Sequence, residues 1–445
     1  MLTPHPPLAD RFRERVRARQ AVVGILGLGY VGLPLAMAFA ERGFTVLGFD
    51  VDPAKVAALA RGECYLHHLG AERLRAAMAA GPFTATADFG RLGEPDALLV
   101  CVPTPLTAQR EPDLSYVVDT TEAIAARLRP GQLVILESTT YPGTTEEVVA
   151  PRLAATGLRL GEEVFVAYSP EREDPGNARF STTTTPKVVA GLDAAAGDMA
   201  QALYDQVVGR TVRVSTTRAA EAAKLTENVF RAVNIALVNE LKVVYDRMGI
   251  DIWEVLDAAA TKPFGFMRFD PGPGWGGHCI PLDPFYLSWK AREHGVTPHF
   301  IERAGEVNRE MPAYVIEKLT LALNRRRLAV HGSRVLVLGL SYKADIDDTR
   351  ESPAFILIDR LLELGAEVTY HDPLVPVAPR VRSRPNLPPM TSRALTAETL
   401  GAVDAVLLVT RHTAVDYALI AEHAPLIVDT RGVYQHSSDP KIVRA

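Results

Sequence analysis

The hydrophobic pattern along the chain changes twice. Over the first two hundred residues, short continuous apolar runs alternate with helical stretches. Residues 21–26 (AVVGIL) form one run, followed by a Gly-rich turn and a helical period to Arg42. Residues 45–50 (TVLGFD), 97–102 (ALLVCV), 133–137 (LVILE), 164–168 (VFVAY), 187–190 and 211–214 are further strand candidates, with a helical stretch over 114–127. Runs that are apolar at successive positions suit strands buried on both faces. Their alternation with helices predicts a doubly wound parallel sheet.

From Arg218 to Met248 the pattern becomes that of one long helix, ended by Gly249. Leu225, Val229, Val233, Leu237 and Leu241 recur every fourth residue, which places them in one inclined stripe. A helix of ~30 residues spans ~45 Å. It reads as a spine between domains, and its apolar surplus predicts a homodimer contact along 218–248. Helical signals continue over 252–260 and 301–326. At Arg334 the strand–helix alternation restarts, with strands at 334–338 (RVLVL), 367–370 (EVTY), 405–409 (AVLLV) and 426–429 (LIVD) and a helix over 353–364. Residues 376–389, with five prolines, read as an irregular loop. The expected fold is α/β: two Rossmann-like doubly wound domains, 1–215 and 329–445, joined by the long central helix and a helical linker domain, 216–328.

Composition narrows the classes. The 445 residues allow roughly three domains. With 47% hydrophobic and 23% charged residues the chain is neither disordered nor fibrous. A net charge of −5 offers no broad basic surface, so no nucleic-acid partner is expected. Cys64, Cys101 and Cys279 stand far apart, which suits neither a disulfide framework nor zinc, and no metal is expected. No apolar stretch approaches the ~18 residues that span a membrane. The Arg-rich start lacks an apolar signal region and reads as a solvated leading helix; a cytoplasmic setting is the expectation.

Gly27-Leu28-Gly29-Tyr30-Val31-Gly32 falls between a strand and a helix. The first glycine permits a tight turn, the second admits a pyrophosphate, and the third lets helix pack on strand. Asp50 ends the next strand, where a carboxylate accepts from a ribose hydroxyl. Asp52 beside it would repel a 2′-phosphate, so NAD is expected rather than NADP. A second unusual segment runs from Gly272 to Asp283 (GPGWGGHCIPLD) and holds Cys279 in a glycine-rich loop, with Asp283 four residues on. Cys64 and Cys101 lack such a frame and read as packing. Lys224 and Asn228 share one helix face, a cation and an amide suited to an oxygen gaining charge, although a solvated helix face has the same spacing. Pro103, Thr104, Ser138 and Thr139, at strand ends, serve either a ligand or as helix caps.

Seven segments in order resemble one family: GLGYVGLPLA, VPTP, ESTTYPGTT, SPEREDPGN, AAKLTENVFRAVNIALVNEL, PGPGWGGHCIPLDPFYL and SYKADIDDTRESPA. They are similar to the UDP-glucose/GDP-mannose dehydrogenase family. The resemblance implies oxidation of a sugar C6 alcohol to a carboxylate with two NAD per turnover. It implies Cys279 as nucleophile, Lys224 and Asn228 as oxyanion donors, Glu171 and Thr139 in proton handling and water placement, and Asp283 supporting Cys279 and the hydrolytic water. It also implies cofactor contacts from Gly27, Gly29, Tyr30, Val31, Gly32, Asp50, Lys55, Pro103, Thr104, Ser138, Thr139 and Arg350. Substrate contacts are implied for Glu171, Arg172, Lys224, Asn228, Arg231, Phe269, Gly276 and Lys343. SPEREDPGN resembles the branch acting on UDP-N-acetylhexosamines, with Arg172 facing the acetamido group or a carbonyl. UDP-N-acetylglucosamine is the expected substrate, with UDP-N-acetylmannosamine and UDP-glucose as alternatives. Trp275 stands where a smaller aliphatic residue is expected, which bears on pocket shape. From the residues alone, a single-step β-hydroxyacid dehydrogenase and a non-catalytic NAD or nucleotide-sugar-binding regulator remain open. NADH released per sugar separates the three: two, one or none.

Overall fold

The computed structural model describes residues 7–66, 69–107, 111–172, 183–277, 280–381 and 384–445. The chain divides into two compact units: Met1–Glu227 with Phe285–Val296, and Asn228–Pro284 with Thr297–Ala445.

The first unit is built on eight strands: β1 (Val22–Leu26), β2 (Thr45–Phe49), β3 (Phe83–Thr86), β4 (Ala97–Val100), β5 (Leu133–Leu136), β6 (Phe165–Tyr168), β7 (Lys187–Gly191) and β8 (Thr211–Arg213), in the order β3-β2-β1-β4-β5-β6-β7-β8. Alternate residues of each strand go to opposite faces, and both faces are covered. Val23, Ile25, Leu99 and Ile135 pack with the helices Leu8–Arg17, Gly32–Glu41 and Ala194–Tyr204. Leu26, Leu98, Val100 and Leu136 pack on the other side with the helix Ser115–Ala125. That is why these strands read as unbroken apolar runs. Two expectations need correction. The sheet is not wholly parallel: β6 and β7 pair antiparallel, with Tyr168 opposite Ala190. The sequence between them carries no helical period, and antiparallel neighbours need no crossover helix. The leading helix is not merely solvated, since Phe12 and Val16 are buried in the core.

The second unit holds β9 (Arg334–Leu338), β10 (Glu367–His371), β11 (Ala405–Leu408), β12 (Ile427–Asp429) and β13 (Ile442–Arg444), all parallel, in the order β10-β9-β11-β12-β13. The turn after β9 repeats the plan of the turn after β1. Gly339 has φ +89° and donates to the His371 carbonyl at 2.8 Å, as Gly27, φ +93°, donates to Phe49 at 2.8 Å. The chemistry differs, however. Ser341 and Ala344 stand where the first turn has Gly29 and Gly32. Asp372, the counterpart of Asp50, is saturated by the N–H groups of Leu340, Ser341, Leu374 and Val375 and by His412 Nε2.

The long helix runs from Thr217 to Met248. Steps of four residues drift by about 40° on a helix, so the Leu225–Leu241 stripe winds rather than facing one way. Leu225 packs with Tyr141 and Tyr286, Val233 with Ala304 and Val307, and Leu241 with Trp253 and Leu256. Leu237 is left 52% exposed. Among the described residues no helix is long and apolar enough to cross a membrane.

Candidate active site

In the first unit the glycine turn is open where a ligand needs it. A Cβ on Gly27 would lie 2.6 Å from the Cys101 carbonyl oxygen, and one on Gly32 1.8 Å from that of Gly27, so packing demands both glycines. A Cβ on Gly29 would meet nothing within 4 Å. The space beside Gly29, Tyr30 and Val31 adjoins the start of the helix Gly32–Glu41, which no side chain caps among the described residues. Helix-start N–H groups with room for close approach suit a pyrophosphate. Asp50 is buried immediately after β2. Its Oδ2 accepts from the Leu28 N–H at 2.9 Å and from Lys55 Nζ at 3.1 Å, and its Oδ1 from the Asp52 N–H at 2.9 Å. Asp50 and Lys55 are thus brought together beside the turn. These residues fit NAD: an anion cradle at the glycines and a fixed acid for ribose hydroxyls.

The ends of β4 and β5 are tied by the hydroxyls singled out from sequence. Ser138 Oγ donates to the Val102 carbonyl at 2.7 Å, and Thr104 Oγ1 donates to the Thr139 carbonyl at 2.8 Å. Both hydroxyls spend their protons on the backbone and shape this edge. Pro103 is exposed and Thr139 half-buried at the rim. Pattern reading did not reveal what anchors the next segment. Glu221, fully buried in the long helix, accepts from the Gly143 N–H at 2.5 Å, the Thr145 N–H at 2.9 Å and Thr145 Oγ1 at 2.7 Å. One turn later the same helix carries Lys224, also buried.

Glu171, just beyond β6, is buried; its Oε1 accepts from the Arg172 N–H at 2.6 Å, and its Oε2 lies 3.4 Å from Lys187 Nζ. The Arg172 guanidinium donates to Glu227 at 2.6 and 3.3 Å and to the Pro186 carbonyl at 2.7 Å. An acetamido contact by Arg172 would draw on this set. The Cys101 thiol is pushed well up by burial and by Glu137, as suits packing.

In the second unit Asn228 Nδ2 donates to Asp283 Oδ2 at 2.5 Å, both side chains buried. Asp283 opens the helix Asp283–Glu293. Cys279 lies outside the described residues, as do His278 and residues 173–182. The loop that leads to Cys279 is held from several sides. The Gly272 N–H donates to Asn239 Oδ1 at 2.9 Å, Asn239 Nδ2 donates to Asn308 Oδ1 at 2.8 Å, and Arg431 crowds Gly272. The Gly277 N–H donates to the Arg350 carbonyl at 3.0 Å, and a Cβ on Gly276 would lie 2.7 Å from Tyr342 and 3.0 Å from the Glu351 carbonyl. Gly276 thus lies against the segment bearing Lys343 and Arg350. Arg350 forms a two-pronged pair with Asp348. Asp345 and Glu351 have φ +61° and +50°, strained backbone at both ends of this segment. Phe269 packs edge-on to Phe230 at 5.8 Å, while Arg231 is exposed. Asn239 and Asn308 escaped sequence reading; the available signal was an amide on the apolar side of a long helix.

Three family models match successive parts of the chain. These are the NAD binding domain of the UDP-glucose/GDP-mannose dehydrogenase family over 21–208, its central domain over 218–310 and its UDP binding domain over 336–436. UDP-N-acetyl-D-glucosamine 6-dehydrogenase of Pseudomonas aeruginosa is 39% identical over 355 residues, 79% of this chain and 83% of that one. NDP-N-acetyl-D-galactosaminuronic acid dehydrogenase of Ralstonia nicotianae is 35% identical over 428 residues, 93% of this chain and 96% of that one. The solved structure of a UDP-D-ManNAc dehydrogenase from Pyrococcus horikoshii aligns with a TM-score of 0.84 at 31% identity, covering 94% of this chain and 96% of that one. With a cofactor turn that fits NAD and a second sheet whose acid is already saturated, the chain belongs to the UDP-glucose/GDP-mannose dehydrogenase family, as an NAD-dependent nucleotide-sugar dehydrogenase.

Proposed function

We propose that the chain oxidises the C6 alcohol of UDP-N-acetyl-D-glucosamine to the uronic acid in two NAD-dependent steps through an adduct at Cys279. The observation that carries this reading is the buried Asn228–Asp283 hydrogen bond. It ties the helix of Lys224 to the residue four positions after Cys279. The Pseudomonas aeruginosa relative, and a second from Salmonella typhi at 36% identity, are both named for UDP-N-acetyl-D-glucosamine, which supports the sugar.

The chemistry explains the residue types. NAD, when bound at the glycine turn, accepts hydride from carbon. Glu171 takes the C6 hydroxyl proton, with Thr139 placing water beside it. A free aldehyde lacks the oxyanion needed to expel a second hydride. The Cys279 thiolate adds to its carbonyl carbon, and the resulting oxygen anion is met by the Lys224 ammonium and the Asn228 amide. Oxidation of that thiohemiacetal leaves a thioester. Asp283, one oxygen fixed by Asn228, directs water onto the thioester carbon; the acid leaves and the thiol is restored.

A second reading, UDP-N-acetyl-D-mannosamine, is favoured by the Pyrococcus horikoshii structure. A panel of UDP-sugars assayed for NADH decides. UDP-N-acetylglucosamine is expected to be oxidised fastest, with two NADH per sugar consumed. One NADH indicates a single-step dehydrogenase and none a binding protein. Cys279→Ser is expected to stop the reaction at the aldehyde or adduct stage. We also propose the three-part division at 215/216 and 328/329, and a homodimer through 218–248. Phe230, Leu237 and Val244, seven residues apart, are about half exposed along the helix. A monomer in sedimentation velocity at micromolar chain would refute that contact.

A further inference from the structure

Lys187 stands at the first position of β7, and β7 runs against β6. Tyr168 pairs with Ala190, so Glu171, three residues beyond Tyr168, meets Lys187, three residues before Ala190. Lys187 Nζ lies 2.8 Å from Glu137 Oε2, 3.4 Å from Glu171 Oε2 and 3.3 Å from the Pro170 carbonyl. Its side chain is 4% exposed, that of Glu137 0% and that of Glu171 11%. The other oxygen of Glu137 accepts from the Tyr204 hydroxyl, and the Tyr204 ring centroid is 5.1 Å from Lys187 Nζ. One ammonium therefore serves two carboxylates in a space nearly closed to water. Among the described residues, the same surroundings also hold the Cys101 thiol beyond β4, Tyr204 itself and Arg172, whose guanidinium is paired with Glu227 of the long helix. Lys224 lies one turn before Glu227.

A buried carboxylate beside a cation within 4–6 Å is favoured in its ionised form; without the cation, burial favours the neutral acid. Glu137 already shows the effect of burial, pushed up to about 7 despite Lys187, and Lys187 is raised by its two carboxylates against the pull of its own burial. Tyr204 and Glu137 fix where the ammonium sits. Glu171 is then held at both oxygens, by Lys187 on Oε2 and by the Arg172 N–H on Oε1. We infer that Lys187 is a positioning residue for the reaction: held by Glu137 and Tyr204, it fixes the Glu171 carboxylate in place as the proton acceptor. This rests on the role given to Glu171 under the proposed function.

The test is the pH dependence of kcat/KM, measured on the full chain with NAD and the UDP-sugar that the wild type oxidises. Lys187→Met is expected to move the acid limb up by at least one pH unit, about a tenfold loss at the acid end, with recovery of rate at higher pH. Lys187→Arg should return the limb to within half a unit. Glu137→Gln removes the competing anion, so the limb should move down. A support for folding alone would instead lower rate and thermal midpoint in both variants with the limb in place. An unmoved limb in Lys187→Met, or a shift of the same sign in Glu137→Gln, overturns the proposal. If Lys187→Met does not fold, the sign of the Glu137→Gln shift decides by itself. Glu171→Gln is the separate control. If it keeps the wild-type rate and acid limb, or if no UDP-sugar is oxidised, the role of Glu171 falls first and takes the inference with it.

Discussion

Replacing Asn239 by alanine isolates what holds the glycine-rich loop that leads to Cys279. Asn239 Oδ1 accepts the Gly272 N–H at 2.9 Å, and its Nδ2 donates to Asn308 Oδ1 at 2.8 Å; Asn308 Nδ2 in turn donates to the Ala304 carbonyl at 2.9 Å. Asn239, Asn308 and Gly272 are all buried. The alanine leaves two polar groups, the Gly272 N–H and Asn308 Oδ1, without partners where water is excluded. Each orphan costs about 1–3 kcal/mol, so about 2–4 kcal/mol is lost from the loop's closed state after some relaxation. Every 1.4 kcal/mol is tenfold in an equilibrium, so the loop should open roughly 30-fold more often, or more. Hydrogen–deuterium exchange of a peptide spanning 268–277 reads this directly. The Gly272 amide should exchange faster by that factor, while the helix Pro353–Glu363 keeps its wild-type protection. The Asn239→Ala/Asn308→Ala double variant removes the orphaned Oδ1, so its cost should fall short of the sum of the two single variants by about 0.5–3 kcal/mol. Activity should fall in kcat more than it changes KM, because the loop carries the proposed nucleophile. Unchanged exchange at Gly272 in Asn239→Ala, or strict additivity of the pair, would refute the reasoning.

Three further outcomes are expected. Glu221→Ala strands the Gly143 and Thr145 N–H groups and the Thr145 hydroxyl, and should cost about 3–6 kcal/mol in urea unfolding; Glu221→Gln keeps one acceptor oxygen and should cost less, so equal losses would argue against the hydrogen-bond account. Asp50→Asn should weaken NAD binding about tenfold by calorimetric titration while leaving NADP no weaker, because a charged acceptor for ribose hydroxyls is lost together with a repulsive charge; an equal loss for both cofactors would place Asp50 away from the ribose. Asp372 is opposed by its burial, but hydrogen bonds from His412 and from the Leu340 and Leu374 N–H groups outweigh this and hold it at about 2. A folded value below the unfolded one of about 3.9 gives stability that is full above pH ~4 and is lost as pH falls toward 2. His412→Phe should therefore move the acid-unfolding midpoint of the second unit to higher pH by circular dichroism, and an unmoved midpoint would remove His412 from that balance.

The strands buried on both faces were legible because burial demands apolar residues at consecutive positions, as in AVVGIL or RVLVL. The two that pattern reading passed over, β3 and β13, are sheet edges, and only Phe83 of the seven residues is buried. The cofactor turn was legible because glycines at positions 27, 29 and 32 fall between a strand and a helix with an acid ending the next strand; packing accounts for Gly27 and Gly32, and open space beside Gly29 leaves room for a ligand. The supports of the site were not, because their partners are distant in sequence: Lys187 and Glu137 are 50 residues apart, Asn239 and Asn308 69. One signal did exist. LVILE ends a buried strand on a carboxylate, and KVVAG begins one on an ammonium. In the parallel sheet that the alternation suggested, the start of one strand and the end of another lie at opposite edges, and these two charges could not meet. Reversing β7 puts its first residue at the edge where β4, β5 and β6 end. The departure from a parallel sheet and the buried pair are therefore one fact. A cation was needed where Glu137 and Glu171 are buried together, and an antiparallel strand delivers one there from its own first position.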